Sequence, residues 1–271
     1  MDGQLGRRRL SESSTVPVCG AKSGRGWIMM RRWMPGLLIL PWLVVMAWPL
    51  LGLGYEAVTV TDGGTVVGEV KYAGDPPPPE KSPVTKDANI CGSEPKISPV
   101  LVVGADKGIK DVVAFLPGIQ KGKALGKLDK PPVLDQKNCE YHPYAQIVPV
   151  NTTLEITNSD DVLHNIKTKG GSKTSFNMAQ PKFKRKLTYD FKTPDIVQVE
   201  CNVHGWMNAI VVVEDNPYYA LTDANGSFKI TDVPPGNYTV KVWHPKLGEQ
   251  TKEVTVSPKE EVKVAFEMKA P

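Results

Sequence analysis

The sequence predicts an all-β protein, and three observations support this class. Short runs rich in Val, Ile, Thr and Tyr recur along the chain from residue 64 onwards. The 24 Gly and 24 Pro residues lie largely between these runs, where turns are expected. Outside the N-terminus, no long stretch has the 3.6-residue periodicity of a helix. With 271 residues, the chain can form one sizeable core or two smaller ones.

Before residue 146, the pattern predicts three short strands with breaks between them. These strands cover residues 64–72, 99–103 and 112–116, which are rich in Val. Residues 75–79 have the sequence Asp-Pro-Pro-Pro-Pro and are expected to form an extended linker, because proline has no backbone N–H for a sheet. Residues 121–132, rich in Lys, Gly and Pro, predict a surface loop.

After residue 146 the predicted strands come at regular spacing and fall into two groups. The first group covers residues 147–150, 153–157, 187–191, 196–199 and 209–213. The second group covers residues 221–230, read as a strand, a turn and a strand, and the strands 237–243, 254–256 and 262–266. Short strands at regular spacing are typical of β-sandwiches. Because the second unit is small enough to be only marginally stable alone, we expect it to pack against its neighbour.

The first 54 residues have the layout of a secretory signal. Arg31 and Arg32 precede an uncharged apolar run over residues 33–53. The small residues Gly52 and Gly54 favour cleavage before Tyr55, whereas an uncleaved run of this length would anchor the chain in a membrane. In either case, the rest of the chain is expected in the periplasm or on the outer face of the cytoplasmic membrane.

The charge of the exported part argues against a nucleic-acid partner. Residues 55–271 carry 26 basic and 27 acidic residues, because seven of the 33 basic residues lie in the first 54 positions. Nucleic-acid-binding domains usually have a strongly basic overall footprint. We therefore predict no nucleic-acid binding and no long-range steering by net charge.

A set of metal-binding side chains carries the functional prediction. Cys201, His204 and Met207 lie at i, i+3 and i+6 of one short segment, and His164 lies upstream. Two imidazoles, one thiolate and a weak axial thioether form the ligand set of a blue-copper electron-transfer centre. Because Cys201 directly follows an apolar strand, its sulfur is expected to point into the sandwich. The sequence therefore predicts one type 1 copper ion per chain.

Two further features would support such a centre. The amide of Asn165, next to His164, is placed to hydrogen-bond the Cys201 loop and to hold the ligands when the metal is absent. Three cysteines follow residue 54, and the assignment of Cys201 to copper leaves Cys91 and Cys139 available for a disulfide in an oxidising compartment.

These residues resemble the metal site of cupredoxins, and the spacing within residues 201–207 is similar to that of the amicyanin ligand loop. The resemblance covers residues 146–214. It implies a Greek-key β-sandwich, one type 1 copper bound by the four ligand residues named above, and electron exit through a partly exposed His204. At positions 205 and 206, Gly and Trp replace the proline and the aromatic residue usual in that loop.

Residues 216–271 resemble the transthyretin-like regulatory modules found beside carboxypeptidases, mainly in segments 223–228 and 234–240. Such modules usually carry no chemistry. The expected organisation is an N-terminal extension with a signal peptide or anchor (1–54), a cupredoxin domain with an N-terminal strand extension (55–215) and a small transthyretin-like β-sandwich (216–271).

The favoured function is that of an exported electron carrier, not an enzyme, that exchanges single electrons with a redox donor and an acceptor of unknown identity. Three alternatives stay open. A non-redox copper-binding module would store, sense or deliver the metal. A multicopper oxidase or nitrite reductase would need further histidine ligands, and only His142 and His244 are left. A structural, adhesion or carbohydrate-binding protein would depend on the C-terminal module, but no clear cluster of aromatic residues supports it.

Overall fold

The computed structural model describes residues 54–170 and 172–270. This part of the chain is built from β-strands and one short helix, α1 (Ala88–Cys91), which confirms the all-β class. The strands, in chain order, are β1 (Glu56–Ala57), β2 (Gly64–Tyr72), β3 (Lys81–Ser82), β4 (Lys96–Ile97), β5 (Val113–Phe115), β6 (Lys121–Gly122), β7 (Val133–Lys137), β8 (Glu140–His142), β9 (Ala145–Pro149), β10 (Thr153–Asn158), β11 (His164–Thr168), β12 (Asn177–Gln180), β13 (Lys186–Asp190), β14 (Asp195–Glu200), β15 (Asn208–Glu214), β16 (Tyr219–Leu221), β17 (Ser227–Val233), β18 (Gly236–His244), β19 (Gly248–Val256) and β20 (Glu261–Met268).

The predicted signal peptide or anchor lies outside the described residues. Within them, no helix combines the length and the apolar character that a membrane span requires. Residues 99–103, predicted as a strand, contribute only an isolated bridge between Val103 and Ile109.

The first sandwich consists of a four-stranded and a five-stranded sheet. The sheet orders are β13-β10-β7-β8 and β12-β11-β14-β15-β9. Leu154 and Ile156 of β10 are buried in one cluster with Val197 and Val199 of β14, so the two sheets share a core. This sandwich contains the predicted strand group of residues 147–213. Strands β7, β8, β11 and β12, which lie outside that predicted group, complete its sheets.

The second sandwich consists of a four-stranded sheet, in the order β16-β5-β18-β19, and a three-stranded sheet, in the order β17-β2-β20. Val66 and Val70 of β2 share its core with Phe228 and Phe266. Gly68 lies between these two valines, and a Cβ at this position would lie 2.3 Å from the Phe228 ring. A glycine is therefore needed where this ring crosses β2.

Two strands that precede the first sandwich belong to the second, which differs from the predicted domain boundary. β2 pairs in parallel with β20, and β5 pairs with β16 and β18. The sequence prediction had assigned both strands to the 55–215 domain and only residues 216–271 to the second sandwich. Alternation of apolar residues indicates a strand and its buried face, but it does not identify the partner strand. The first sandwich is therefore inserted between β5 and β16.

A segment between β2 and β5 is fastened to the first sandwich. β3 and β4 pair as an antiparallel hairpin around α1. Cys91, at the end of α1, forms a disulfide with Cys139, which follows β7. We call residues 81–97 the cover segment, because Asp87 within it contacts the buried side chain of His204.

Candidate metal centre

The four predicted ligand residues lie at one end of the first sandwich. His164 is the first residue of β11, and Cys201 directly follows β14. Lys167 of β11 pairs with Glu200 of β14 in an antiparallel ladder, so the residues after β14 run alongside the start of β11. His204 and Met207 lie on the connection from β14 to β15. The sandwich therefore brings a distant histidine beside a locally folded ligand loop.

All four side chains are removed from solvent. His164 and His204 are 0% exposed, Met207 is 1% exposed and Cys201 is 2% exposed. The Met207 N–H donates a hydrogen bond to the His204 carbonyl oxygen at 3.0 Å, and the Met207 carbonyl accepts one from the Cys201 N–H at 3.4 Å. These backbone bonds fix the ligand loop, and the Met207 side chain packs in the same core as Cys201.

One metal ion fits the nitrogen and sulfur atoms of this cluster. Metal–nitrogen bonds are about 2.0 Å and metal–sulfur bonds about 2.3 Å long, so a nitrogen and a sulfur on one ion lie at most about 4.3 Å apart. The Nδ1 atoms of His164 and His204 are 3.0 Å apart, and Sγ of Cys201 lies 4.0 Å from Nδ1 of His204. All three residues place a ligand atom within 4.8 Å of one another.

Two carboxylates orient the histidine rings. Oδ2 of Asp160 lies 2.8 Å from Nε2 of His164, and Oδ2 of Asp87 lies 2.9 Å from Nε2 of His204. Because a carboxylate accepts hydrogen bonds, each Nε2 carries the ring proton and each Nδ1 presents a lone pair to the cluster. Two lone pairs only 3.0 Å apart repel each other, so the arrangement favours a cation between them.

The environment of His164 favours its neutral form. Burial lowers the pKa of His164, and the hydrogen bond to Asp160 opposes this effect. Neutral imidazole is the form that binds metals. Asp160 is itself held by the backbone N–H groups of Asn138 and Cys139, each at 2.8 Å.

The structure contradicts the expectation that His204 is partly exposed. Its ring is fully buried, and its Nε2 is hydrogen-bonded to the carboxylate of Asp87 in the cover segment. On another side, the His204 and Trp206 ring centroids lie 5.2 Å apart. The cover segment causes this burial. The expectation of exposure came from the ligand loop alone, and that loop does not include the cover segment.

The disulfide between Cys91 and Cys139 lies beside this cluster. Its Cα atoms are 5.2 Å apart, and both residues are buried. Cys91, Cys139 and His204 form a second group whose ligand atoms lie within 4.8 Å of one another. The Trp206 Nε1–H donates to the carbonyl oxygen of Cys139 at 2.9 Å. The disulfide therefore attaches the cover segment directly beside His204.

Asn165 connects the ligand loop to the neighbouring strand. Its Oδ1 accepts a hydrogen bond from the backbone N–H of Asn202 at 2.7 Å, next to Cys201. Its Nδ2 donates to Oδ1 of Asn177 on β12 at 2.5 Å. These two hydrogen bonds attach the ligand loop to β12 through the Asn165 amide.

Sequence reasoning missed both carboxylates. Asp160 lies four residues before His164, so an acidic residue close to a candidate ligand was an available signal. Asp87 is 117 positions from His204 and had no local signal. Among the described residues, His142 and His244 belong to no group that could hold a metal.

Loss of the Asp87 carboxylate is expected to weaken metal binding. Asp87→Ala should lower the affinity for Cu(I) by about 10- to 100-fold, because His204 loses the partner that fixes its ring and its tautomer. Asp87→Asn, which keeps an acceptor oxygen, should retain most of the affinity. Competition with a chromophoric Cu(I) chelator measures both values, with Asp106→Ala, at an exposed position, as the control. Equal affinities for the wild-type protein and Asp87→Ala would rule out this role.

The fold and the site define an all-β protein with a buried cluster of two imidazoles and one thiolate. The family model described as carboxypeptidase regulatory-like domain matches residues 205–269. No curated protein matches the chain. The matched family agrees with the resemblance to regulatory modules seen in residues 216–271.

Among solved structures, an oxidised amicyanin variant is 23% identical, covers 37% of this chain and 98% of its own, and has a TM-score of 0.29. A purple cupredoxin from Nitrosopumilus maritimus is 25% identical, covers 30% and 96%, and has a TM-score of 0.27. A copper-containing nitrite reductase from Thermus scotoductus SA-01 is 20% identical, with a TM-score of 0.28. That match covers 36% of this chain and only 26% of the reductase.

Proposed function

We propose that this chain is an exported type 1 copper protein that carries single electrons between redox partners. The observation that carries this proposal is the buried cluster of His164 Nδ1, His204 Nδ1 and Cys201 Sγ, with Met207 on the same loop. When bound, copper would supply a one-electron change between Cu(I) and Cu(II). A thiolate, two imidazoles and a thioether suit copper in both states better than they suit zinc, which prefers four strong ligands.

The protein's own contribution is to keep the ligands in place and to exclude water. Asp87 and Asp160 fix the two rings, Asn165 holds the loop, and the backbone bonds of Met207 close it. Ligands that are already fixed need little rearrangement when the charge of the ion changes. This property favours electron transfer over a site that opens to take up and release metal.

The burial of the site also favours a carrier over an enzyme. A catalytic metal needs a coordination position that substrate can reach. Both histidines are 0% exposed, and the cover segment lies over one of them. The described residues offer no second histidine cluster for a catalytic copper. We therefore propose no catalytic residues for this chain.

Export to the periplasm or the outer membrane face is part of the same proposal. A buried disulfide is typical of oxidising compartments. The apolar run at residues 33–53, with arginines before it, would serve as the signal or the anchor.

A redox titration of the copper-loaded protein tests the proposed function. We expect reversible one-electron behaviour, followed by the thiolate-to-copper absorption band. Met207→Leu should keep this band and raise the reduction potential, because loss of a sulfur donor disfavours the more highly charged Cu(II). Copper that binds but cannot be cycled reversibly would instead support the storage or delivery alternative. An unchanged potential in Met207→Leu would exclude Met207 as a ligand.

A further inference from the structure

The turn after β12 concentrates positive charge around an exposed aromatic ring. We call residues 181–186 the basic turn. Four of its six residues are basic, namely Lys182, Lys184, Arg185 and Lys186. Phe183, between the two lysines, is 84% exposed. Leu163, the residue before His164, is 45% exposed. Aromatic residues and arginine are enriched in the energetically important parts of protein interfaces.

The basic turn is connected to the metal centre by hydrogen bonds. Gln180, directly before the turn, pairs with His164 in the β11–β12 ladder. The Arg185 guanidinium donates to the Asp160 carbonyl oxygen at 2.6 Å, and the Asp160 carboxylate binds Nε2 of His164. Two polar contacts therefore link an exposed surface to a candidate ligand. His204, by contrast, contacts the cover segment through Asp87.

The turn that carries Phe183 is closed by a backbone hydrogen bond. The Lys184 N–H donates to the Pro181 carbonyl oxygen at 2.8 Å, which closes the turn. Arg185 and Lys186 pair with acidic residues of the sandwich. Within residues 54–170 and 172–270, Lys182 and Lys184 form no salt bridge, so both ammonium groups are available to a partner.

We propose that the basic turn and Leu163 form the docking face for an acidic redox protein, which exchanges one electron with this chain near His164. This inference rests on the proposed electron-transfer function. Among the described residues, Arg185 and Lys186 pair with acidic side chains, whereas Lys182 and Lys184 form no salt bridge and supply the available positive charge of this face. Complementary charge at such a face raises the rate and selectivity of association, and Phe183 and Leu163 supply the apolar contact. An anionic membrane would also attract this turn, but it would not require a face beside a metal ligand.

Paramagnetic hexacyanochromate(III) tests the face without depending on copper. In the purified, isotopically labelled protein, this anion should broaden the amide signals of residues 182–186 before all others. The effect should disappear in the double variant Lys182→Glu/Lys184→Glu. The matched control is Lys229→Glu/Lys263→Glu, which makes the same charge change at exposed positions of the second sandwich. Equal broadening of other lysine-rich surfaces would overturn the proposal.

Electron-transfer kinetics connect the face to the metal centre. Oxidation of the reduced copper protein by hexacyanoferrate(III) at low ionic strength should slow by about 10-fold in Lys182→Glu/Lys184→Glu and by less than about 2-fold in the control. The visible spectrum should be the same in both variants. An unchanged rate with an intact spectrum would reject the docking face but leave the copper function standing. Absence of the copper spectrum in the wild-type protein would instead reject the proposed function.

Binding to lipid vesicles distinguishes a membrane-binding role of the basic turn from docking of a redox protein. Vesicles of phosphatidylserine and phosphatidylcholine should bind the wild-type protein and Phe183→Ser equally weakly. Strong binding that is lost in Phe183→Ser would overturn the proposal, because the basic turn would then be a membrane-binding element.

Discussion

Replacing Cys91 and Cys139 together by serine is expected to lower the free energy of unfolding of the metal-free protein by about 4 kcal/mol. The two cysteines are separated by 48 positions in the sequence. Cross-linking residues this far apart removes conformational entropy from the unfolded chain, and the loop-closure relation gives a value of this size. Urea denaturation at equilibrium measures the effect as a shift in the midpoint.

The same double variant is expected to release the cover segment. Residues 81–97 are attached through the disulfide, the short β3–β4 hairpin and the hydrogen bond between Asp87 and His204. Limited proteolysis should therefore cut this segment first in the double variant and leave it intact in the wild-type protein. Cys201→Ser, which removes a buried thiol but no cross-link, is the control. A loss of less than about 1 kcal/mol, with no new cleavage in residues 81–97, would contradict the structural role of the disulfide.

The second large effect is expected from Glu214, at the end of β15. Burial raises the pKa of Glu214 to about 8, Asp215 adds to this shift, and Lys123 opposes it. Between about pH 4.5 and about pH 8, the Glu214 carboxyl is therefore protonated in the folded protein and ionised in the unfolded chain, where its pKa is near 4.5. Because the unfolded state binds fewer protons in this range, stability falls as pH rises from about 4.5 to about 8. The total loss is at most about 5 kcal/mol, from about 1.4 kcal/mol per pH unit.

Glu214→Gln should remove this pH dependence. The amide stays neutral at all pH values, so the variant should be more stable than the wild-type protein at pH 8 and above. At pH 4 the two should differ little. Urea midpoints at each pH measure the difference, with Glu260→Gln, at an exposed position, as the control. A wild-type protein whose stability is constant between pH 5 and pH 8 would show that Glu214 is not protonated in the fold.

Three of the four proposed metal ligands could be selected from the sequence because their signal is local. Cys201, His204 and Met207 lie within one loop, and the alternating strands on either side place that loop at the end of a sandwich. The cysteine count also pointed to the pair Cys91 and Cys139, which the structure joins. Residue type and short spacing indicated the loop ligands, whereas the cysteine count indicated the disulfide pair.

The parts that escaped prediction depend on contacts between distant residues. The pairing of β2 with β20 joins two ends of the described chain, and several strands have the same alternating pattern as either one. Asp87 reaches His204 across 117 positions, so neither the carboxylate partner nor the burial of His204 had a local signal. The expectation of a partly exposed His204 was wrong because it depended on the ligand loop alone.

The visible absorption spectrum of the Cu(II)-loaded protein, measured beside that of Cys201→Ser, tests the central claim most directly. The proposed centre predicts an intense thiolate-to-copper band near roughly 600 nm, bleached by a reductant and absent from the variant. A colourless wild-type protein that binds no copper, or a band that persists in Cys201→Ser, would contradict it.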